Sequence, residues 1–224
     1  MSNITSNLLA VVQDLKEGVR LVAISKYHPA ESIQEAYEAG QRVFGESHVQ
    51  ELVAKQQTLP ADIEWHFIGH LQTNKVKYIA PFISLIHAVD TPKLLREIEK
   101  QADKNGRKVH CLLELHIAEE ETKYGFSEQE LIDFLEEGEW KTLSHVSIDG
   151  LMCMATNTDD EEQIRTEFRR TKRIFDEVKA RFFADCPSFC ELSMGMSHDY
   201  PIAMEEGSTL IRVGSKIFGE RVYS

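Results

Sequence analysis

RVFGESHVQELVAKQQTLPADIEWHFIGH (42–70) reads as strand, helix, strand. It opens on RVFGE (42–46) and closes on EWHFIGH (64–70), two short runs rich in apolar and aromatic residues. Between them HVQELVAKQQTL switches to the longer period of a helix. Two apolar strands joined by a helix run parallel, with the helix covering their outer face.

The same alternation extends in both directions. Upstream, LVAIS (21–25) is a strand that ends at Lys26. AESIQEAYEAG follows it, with Ile33, Ala36 and Tyr37 on one helical face and Gly40 as a cap. Downstream, NKVKYIAPF is a short helix broken by Pro81, and ISLIHAVD (83–90) is a fourth strand. Thr91 and Pro92 supply an N-cap and first-turn proline for a helix whose stripe is Leu94, Leu95, Ile98 and Ala102, ending by Gly106. VHCLLELHIA (109–118) is the fifth strand, and Ser127 with Glu130 forms a capping box for SEQELIDFLEEG. HVSIDGLMCM (145–154) holds the sixth strand, and a long helix over 160–183 buries Ile164, Phe168, Phe175, Val178 and Phe182. FCELS (189–193), a short helix near 199–206 and LIRVG (210–214) complete the series.

Eight strands alternating with helices predict an α/β fold, a (β/α)8 TIM-type barrel, with a doubly wound sheet as the alternative. No linker or low-complexity segment interrupts the chain, so one domain over 1–224 is expected, with MSNITSNLLAVVQDLKEG as an N-terminal amphipathic helix.

Composition narrows the function. A formal charge of −12 argues against a broad nucleic-acid or anionic-membrane surface, which needs clustered lysine and arginine. No apolar run reaches the length of a spanning helix. Cys111, Cys153, Cys186 and Cys190 form no C-x-x-C pair and read as reduced, mostly buried thiols of a cytoplasmic protein, with a Cys186–Cys190 disulfide left open. An acidic monomer is expected, with a weak dimer as the alternative.

The chemistry gathers where barrels carry it, at the C-terminal ends of the strands. Lys26 directly follows a strand, at the rim of a low-dielectric interior where a neutral amine can attack an aldehyde; a solvated lysine is the alternative. SMGMS (193–197) offers Ser193, Ser197, a glycine and helix-start amides that suit a phosphate, or else merely a capped turn. In GSTLIRVGSKIFG (207–219), Arg212 lies within the last strand, and Gly214 and Ser215 begin a phosphate-sized loop. An inward arginine needs a ligand or a carboxylate such as Glu46 or Glu114.

AISK (23–26), FGESHVQE (44–51), WHFIGHLQTNK (65–75), GLM (150–152) and SMGMSHDYPIAMEEGSTLIRVGSKIFGE (193–220) resemble the YggS/PROSC family of pyridoxal phosphate homeostasis proteins, in its order and spacing over nearly the whole chain. The resemblance implies a barrel like the N-terminal domain of bacterial alanine racemase, with pyridoxal 5′-phosphate (PLP) held as a Schiff base on Lys26. It implies Ser193, Ser197, Gly214 and Ser215 at the phosphate and Arg212 facing the pyridine nitrogen, where a cation weakens the ring as an electron sink. It also implies apo PLP-dependent enzymes as partners and effects on amino-acid and keto-acid pools. Two positions depart from the family, which has Asn-Tyr where Ser47-His48 stands and Asn where His116 stands.

Eight barrel units consume the chain, leaving nothing for the second domain a racemase of this fold uses. A binding role is therefore expected, with no catalytic residue assigned. The alternative is a PLP enzyme of narrow scope, a racemase or lyase, using Tyr27, His48, His66 or His198 as its second proton-transfer group. A cofactor-free aldolase with an imine lysine is less consistent with SMGMS and IRVG. A metal hydrolase on His66 and His70 is disfavoured because i, i+4 spacing does not converge on a strand.

Overall fold

The computed structural model describes residues 3–119 and 124–220. After helix α1 (Asn3–Gln13), the strands are β1 (Arg20–Ile24), β2 (Val43–Glu46), β3 (Glu64–Phe67), β4 (Leu85–Val89), β5 (Val109–Leu115), β6 (Val146–Cys153), β7 (Glu191–Ser193) and β8 (Leu210–Val213). They pair in parallel, each with the next, and β8 returns to β1 through Val22↔Arg212 and Ala23↔Val213, closing the barrel. The doubly wound alternative is thereby set aside.

Helices α2 (Ala30–Glu38), α3 (Val49–Thr58), α4 (Val76–Ile79), α5 (Pro92–Lys104), α6 (Glu128–Glu137), α7 (Glu161–Phe182), α8 (Tyr200–Glu205) and α9 (Ser215–Phe218) accompany the strands. The local signals act as expected. The Thr91 hydroxyl accepts the Leu94 amide at 3.3 Å with Pro92 in the first turn, and both halves of the Ser127–Glu130 capping box form. Leu94, Leu95, Ile98 and Ala102 are buried together.

Two cores result from strand alternation. Odd-numbered β1 residues join the layer between sheet and helices, whereas Val22 and Ile24 fall inside with Leu85, Ala88, Leu112, Met152 and Leu210. The glycine of GLM has a steric cause, since a Cβ on Gly150 would lie 1.7 Å from the Glu191 carbonyl oxygen on β7. Several strands are shorter than their apolar runs. In FCELS only Glu191–Ser193 joins the sheet, because Phe189 stacks on Phe175 and Phe183 at 5.1 and 4.2 Å in the turn before it.

Cys111 and Cys153 are buried, as expected for apolar strands, but Cys186 is half-buried and Cys190 exposed, and all four are free thiols. No helix among the described residues is long and apolar enough to cross a membrane.

Candidate functional site

Lys26 follows β1 at the C-terminal mouth of the barrel, half-buried, and continues the inward row of Val22 and Ile24. Its backbone is gripped on both sides. Ser25 is fully buried; its hydroxyl donates to Glu46 Oε1 at 2.7 Å and its carbonyl accepts from Lys55 Nζ at 2.8 Å. Tyr27 adopts φ 65°, a left-handed backbone that costs a non-glycine residue energy, and its amide donates to Glu51 Oε1 at 2.7 Å. Lys55 Nζ ties these anchors together, meeting Glu46 at 2.7 Å and Glu51 at 2.6 Å. Burial pushes the Glu46 carboxyl up, and Lys55 and Ser25 pull it partly back.

This cluster was missed in the sequence. Glu46 falls on the outward row of β2, facing α3, where Lys55 arrives one turn after Glu51 on the same helical side as Leu52. Charged residues spaced i, i+4 on a helix usually mark a wet face, and only the strand parity of Glu46 could have suggested otherwise.

Lys26 also lines a cavity of about 520 Å³ with Tyr27, Ser47, His48, Gly69, His70 and Lys75, over β2 and β3. The Tyr27 hydroxyl lies 3.5 Å from His48 Nε2, and Ser47 Oγ lies 3.2 Å from His48 Nδ1. Of the four proton-transfer candidates, Tyr27 and His48 thus stand beside Lys26. His66 is inside the barrel, and His198 is at the surface 3.2 Å from Asp199. His66 and His70 diverge, the first hydrogen-bonding His87 and the second Asp90, both at 2.9 Å.

Across the mouth, the loops after β7 and β8 meet. Ser197 Oγ accepts the Gly214 amide at 3.1 Å, and a Cβ on Gly214 would come within 3.1 Å of the Ile24 carbonyl oxygen, so this loop is seated against the end of β1. Ser215 and Lys216 open α9, and their amides find no acceptor among the described residues. Ser197, Gly214 and Ser215 are therefore together, one strand from Lys26.

Arg212 and Ser193 form a deeper pair. Arg212 is 4% exposed, and its Nη1 donates to Ser193 Oγ at 2.6 Å and its Nη2 to the Cys153 carbonyl at 2.9 Å. Burial lowers its pKa, against the pull of Cys153, Asp199 and Glu114. Neither carboxylate offered as its partner bonds it. Glu46 belongs to Lys55, and Glu114 Oε2 is buried with no partner among the described residues. Ser193, expected at the phosphate, is fully buried with its hydroxyl spent on Arg212 and His87, apart from the Ser197–Gly214 loop.

The arrangement suits a flat, phosphorylated, aromatic aldehyde. It provides an amine at one strand end, amides and a hydroxyl at the adjacent loop, and a buried cation with most of its five N–H donors unspent. The tight seat of Gly214 fixes this loop against the end of β1, and the unpartnered Glu114 oxygen leaves a buried polar group open to a ligand.

Residues 1–222 match the family model "Alanine racemase, N-terminal domain". A pyridoxal phosphate homeostasis protein of Aquifex aeolicus is 41% identical over 205 residues, 91% of this chain and 88% of that one. PipY of Synechococcus elongatus PCC7942, solved without and with PLP, superposes with TM-scores of 0.90 and 0.86 at 36% identity, over 96% of this chain and all of PipY. Alanine racemase of Bartonella henselae, with covalently bound pyridoxal phosphate, shares the fold at TM-score 0.73 and 15% identity, and this chain spans 59% of it.

Proposed function

The chain belongs to the pyridoxal phosphate homeostasis proteins of the alanine racemase N-terminal domain family, and from that premise we propose that it binds PLP as a Schiff base on Lys26 and takes part in PLP homeostasis. The whole chain serves as one binding unit. Arg212 faces the pyridine nitrogen, and Ser197, Gly214 and Ser215 take the phosphate. The observation that carries this reading is the seating of the Ser197–Gly214 loop against the end of β1, one strand from Lys26.

When bound, PLP supplies an aldehyde that condenses with amines and a ring that withdraws electrons. The residues of this chain hold it. The Glu46–Lys55–Glu51 cluster fixes the backbone on either side of Lys26, so its amine is presented without a search through loop conformations. Arg212, a permanent cation, keeps a proton off the ring nitrogen and so restrains carbanion chemistry. A site that binds PLP while blunting its reactivity suits buffering or delivery of the cofactor to apo-enzymes, with effects on amino-acid and keto-acid pools.

The test is the absorption spectrum of purified protein given PLP. An imine band that disappears in Lys26→Ala supports the reading; a band unchanged in that variant overturns it. In cells, deletion of the gene should disturb vitamin B6 vitamers and amino-acid pools, and unchanged pools would remove the homeostatic part.

The Tyr27–His48 pair beside Lys26 favours a second reading, a PLP enzyme of narrow scope. Sustained turnover of an amino acid by pure protein, lost in Lys26→Ala and reduced in Tyr27→Phe, would promote it.

A further inference from the structure

Two histidines at the centre of the barrel play no part in the reading above. His66 on β3 is 2% exposed and His87 on β4 is fully buried, and their rings bond through Nδ1 of His66 and Nε2 of His87 at 2.9 Å. His87 Nδ1 lies 2.9 Å from Ser193 Oγ on β7. Ser193 Oγ receives Arg212 Nη1 at 2.6 Å from β8, and Arg212 Nη2 reaches the Cys153 carbonyl on β6 at 2.9 Å. One chain of hydrogen bonds thus crosses the interior, touches five strands and runs through the guanidinium to the Cys153 carbonyl.

Its polarity follows from donor arithmetic. Arginine can only donate, so Ser193 Oγ accepts from Arg212. Burial and neighbouring positive charge keep both imidazoles neutral, His66 down to about 3 and His87 well below its ordinary value. Each ring then has one N–H and one lone pair. If the Ser193 hydroxyl donates to His87 Nδ1, the His87 proton sits on Nε2 and points at His66 Nδ1, and every bond has one donor. The reverse order would leave a buried serine proton with no acceptor, at a cost that native interiors avoid.

We propose that His87, backed by His66, is a positioning residue: it accepts the hydrogen bond of the Ser193 hydroxyl so that the serine lone pair stays on Arg212, fixing the guanidinium at the ring end of the cofactor site. Ser193 then acts through Arg212 and not on the phosphate. This inference rests on the reading of Arg212 as the contact to the pyridine ring.

The two roles for Ser193 separate with a ligand that lacks the phosphate. Kd is measured for PLP and for pyridoxal, with the imine band recorded, in wild type, Ser193→Ala, His87→Leu, His87→Asn and Ser197→Ala. Loss of an oriented charged contact should weaken both ligands by a similar factor, about tenfold, in Ser193→Ala and His87→Leu, and move the band. Asparagine can place an acceptor where Nδ1 stands, so His87→Asn should restore affinity and band. Ser197→Ala should weaken PLP alone. A Ser193→Ala defect confined to PLP, or a folded His87→Leu protein indistinguishable from wild type, would overturn the inference while leaving PLP binding intact. If His87→Leu does not fold, Ser193→Ala decides. Wild-type protein with no imine band would instead remove the functional reading and this inference with it.

Discussion

Burial lifts the Glu114 carboxyl to about 7; Asp90 adds to that rise and Arg212 opposes it. A carboxyl that holds its proton more tightly folded than unfolded contributes stability that is complete below its unfolded pKa, near 4.5, and is lost as pH rises through about 7. Glu114→Gln should abolish this decline. Relative to wild type, the variant's unfolding free energy should gain about 3 kcal/mol between pH 4.5 and 7.5, read from urea midpoints. A constant difference across that range would show that Glu114 titrates normally. Gly214 gives a second residue-scale test. Its φ of −119° suits any residue, so Gly214→Ala should act only through the 3.1 Å approach to Ile24. The expected cost is about 1 kcal/mol in stability, with a larger proportional loss in PLP affinity because the phosphate loop shifts. Loss of stability without loss of affinity would detach Gly214 from the site.

At the scale of elements, β1, β2 and α3 work as one clamp on Lys26. Removing the shared cation in Lys55→Met takes the bond from the Ser25 carbonyl and leaves Glu46 and Glu51, which hold the Ser25 hydroxyl and the Tyr27 amide, without their counter-charge. Breaking such a buried ionic group should cost about 3–5 kcal/mol, and the Tyr27 backbone should relax out of its left-handed conformation. Chemical denaturation measures the first, and slower imine formation with PLP the second. A variant as stable as wild type would mean the cluster is solvated. Strands and long helices were legible in the sequence because period, caps and turns agree, as at Thr91–Pro92 and Ser127–Glu130. The clamp was not, since whether a charge at i, i+4 is wet or buried depends on which strand residue faces it, a tertiary fact. Ser193 illustrates the same limit. Motif position put it with Ser197, but alternation turns its hydroxyl into the barrel, toward Arg212 and His87.

For the whole molecule, closure of the sheet is what makes a site of separate signals. Lys26 and Gly214 are 188 positions apart in the chain, yet the pairing of β8 with β1 makes their strand ends neighbours. The count of eight apolar runs foretold this closure, whereas the polar chain across the interior depends on rows of residues from five strands meeting at one level. That interior also sets acid sensitivity. His66 and His87 are neutral when folded and charge when the chain unfolds, so their stabilisation is present above about 6.5 and is lost as pH falls below it, for His66 toward about 3. At pH 5 His66 should cost ~2 kcal/mol relative to neutral pH, with His87 acting in the same direction, and His66→Gln should reduce the acid loss seen by thermal melts between pH 7 and 5. An unchanged acid profile in that variant would mean His66 is not held neutral. Attachment of PLP to Lys26 is read by reducing the PLP-loaded protein with borohydride, digesting it and locating the pyridoxyl group by mass spectrometry. Lys26 alone should carry it; the group on another lysine, or on none, would rule out Lys26 as the attachment site.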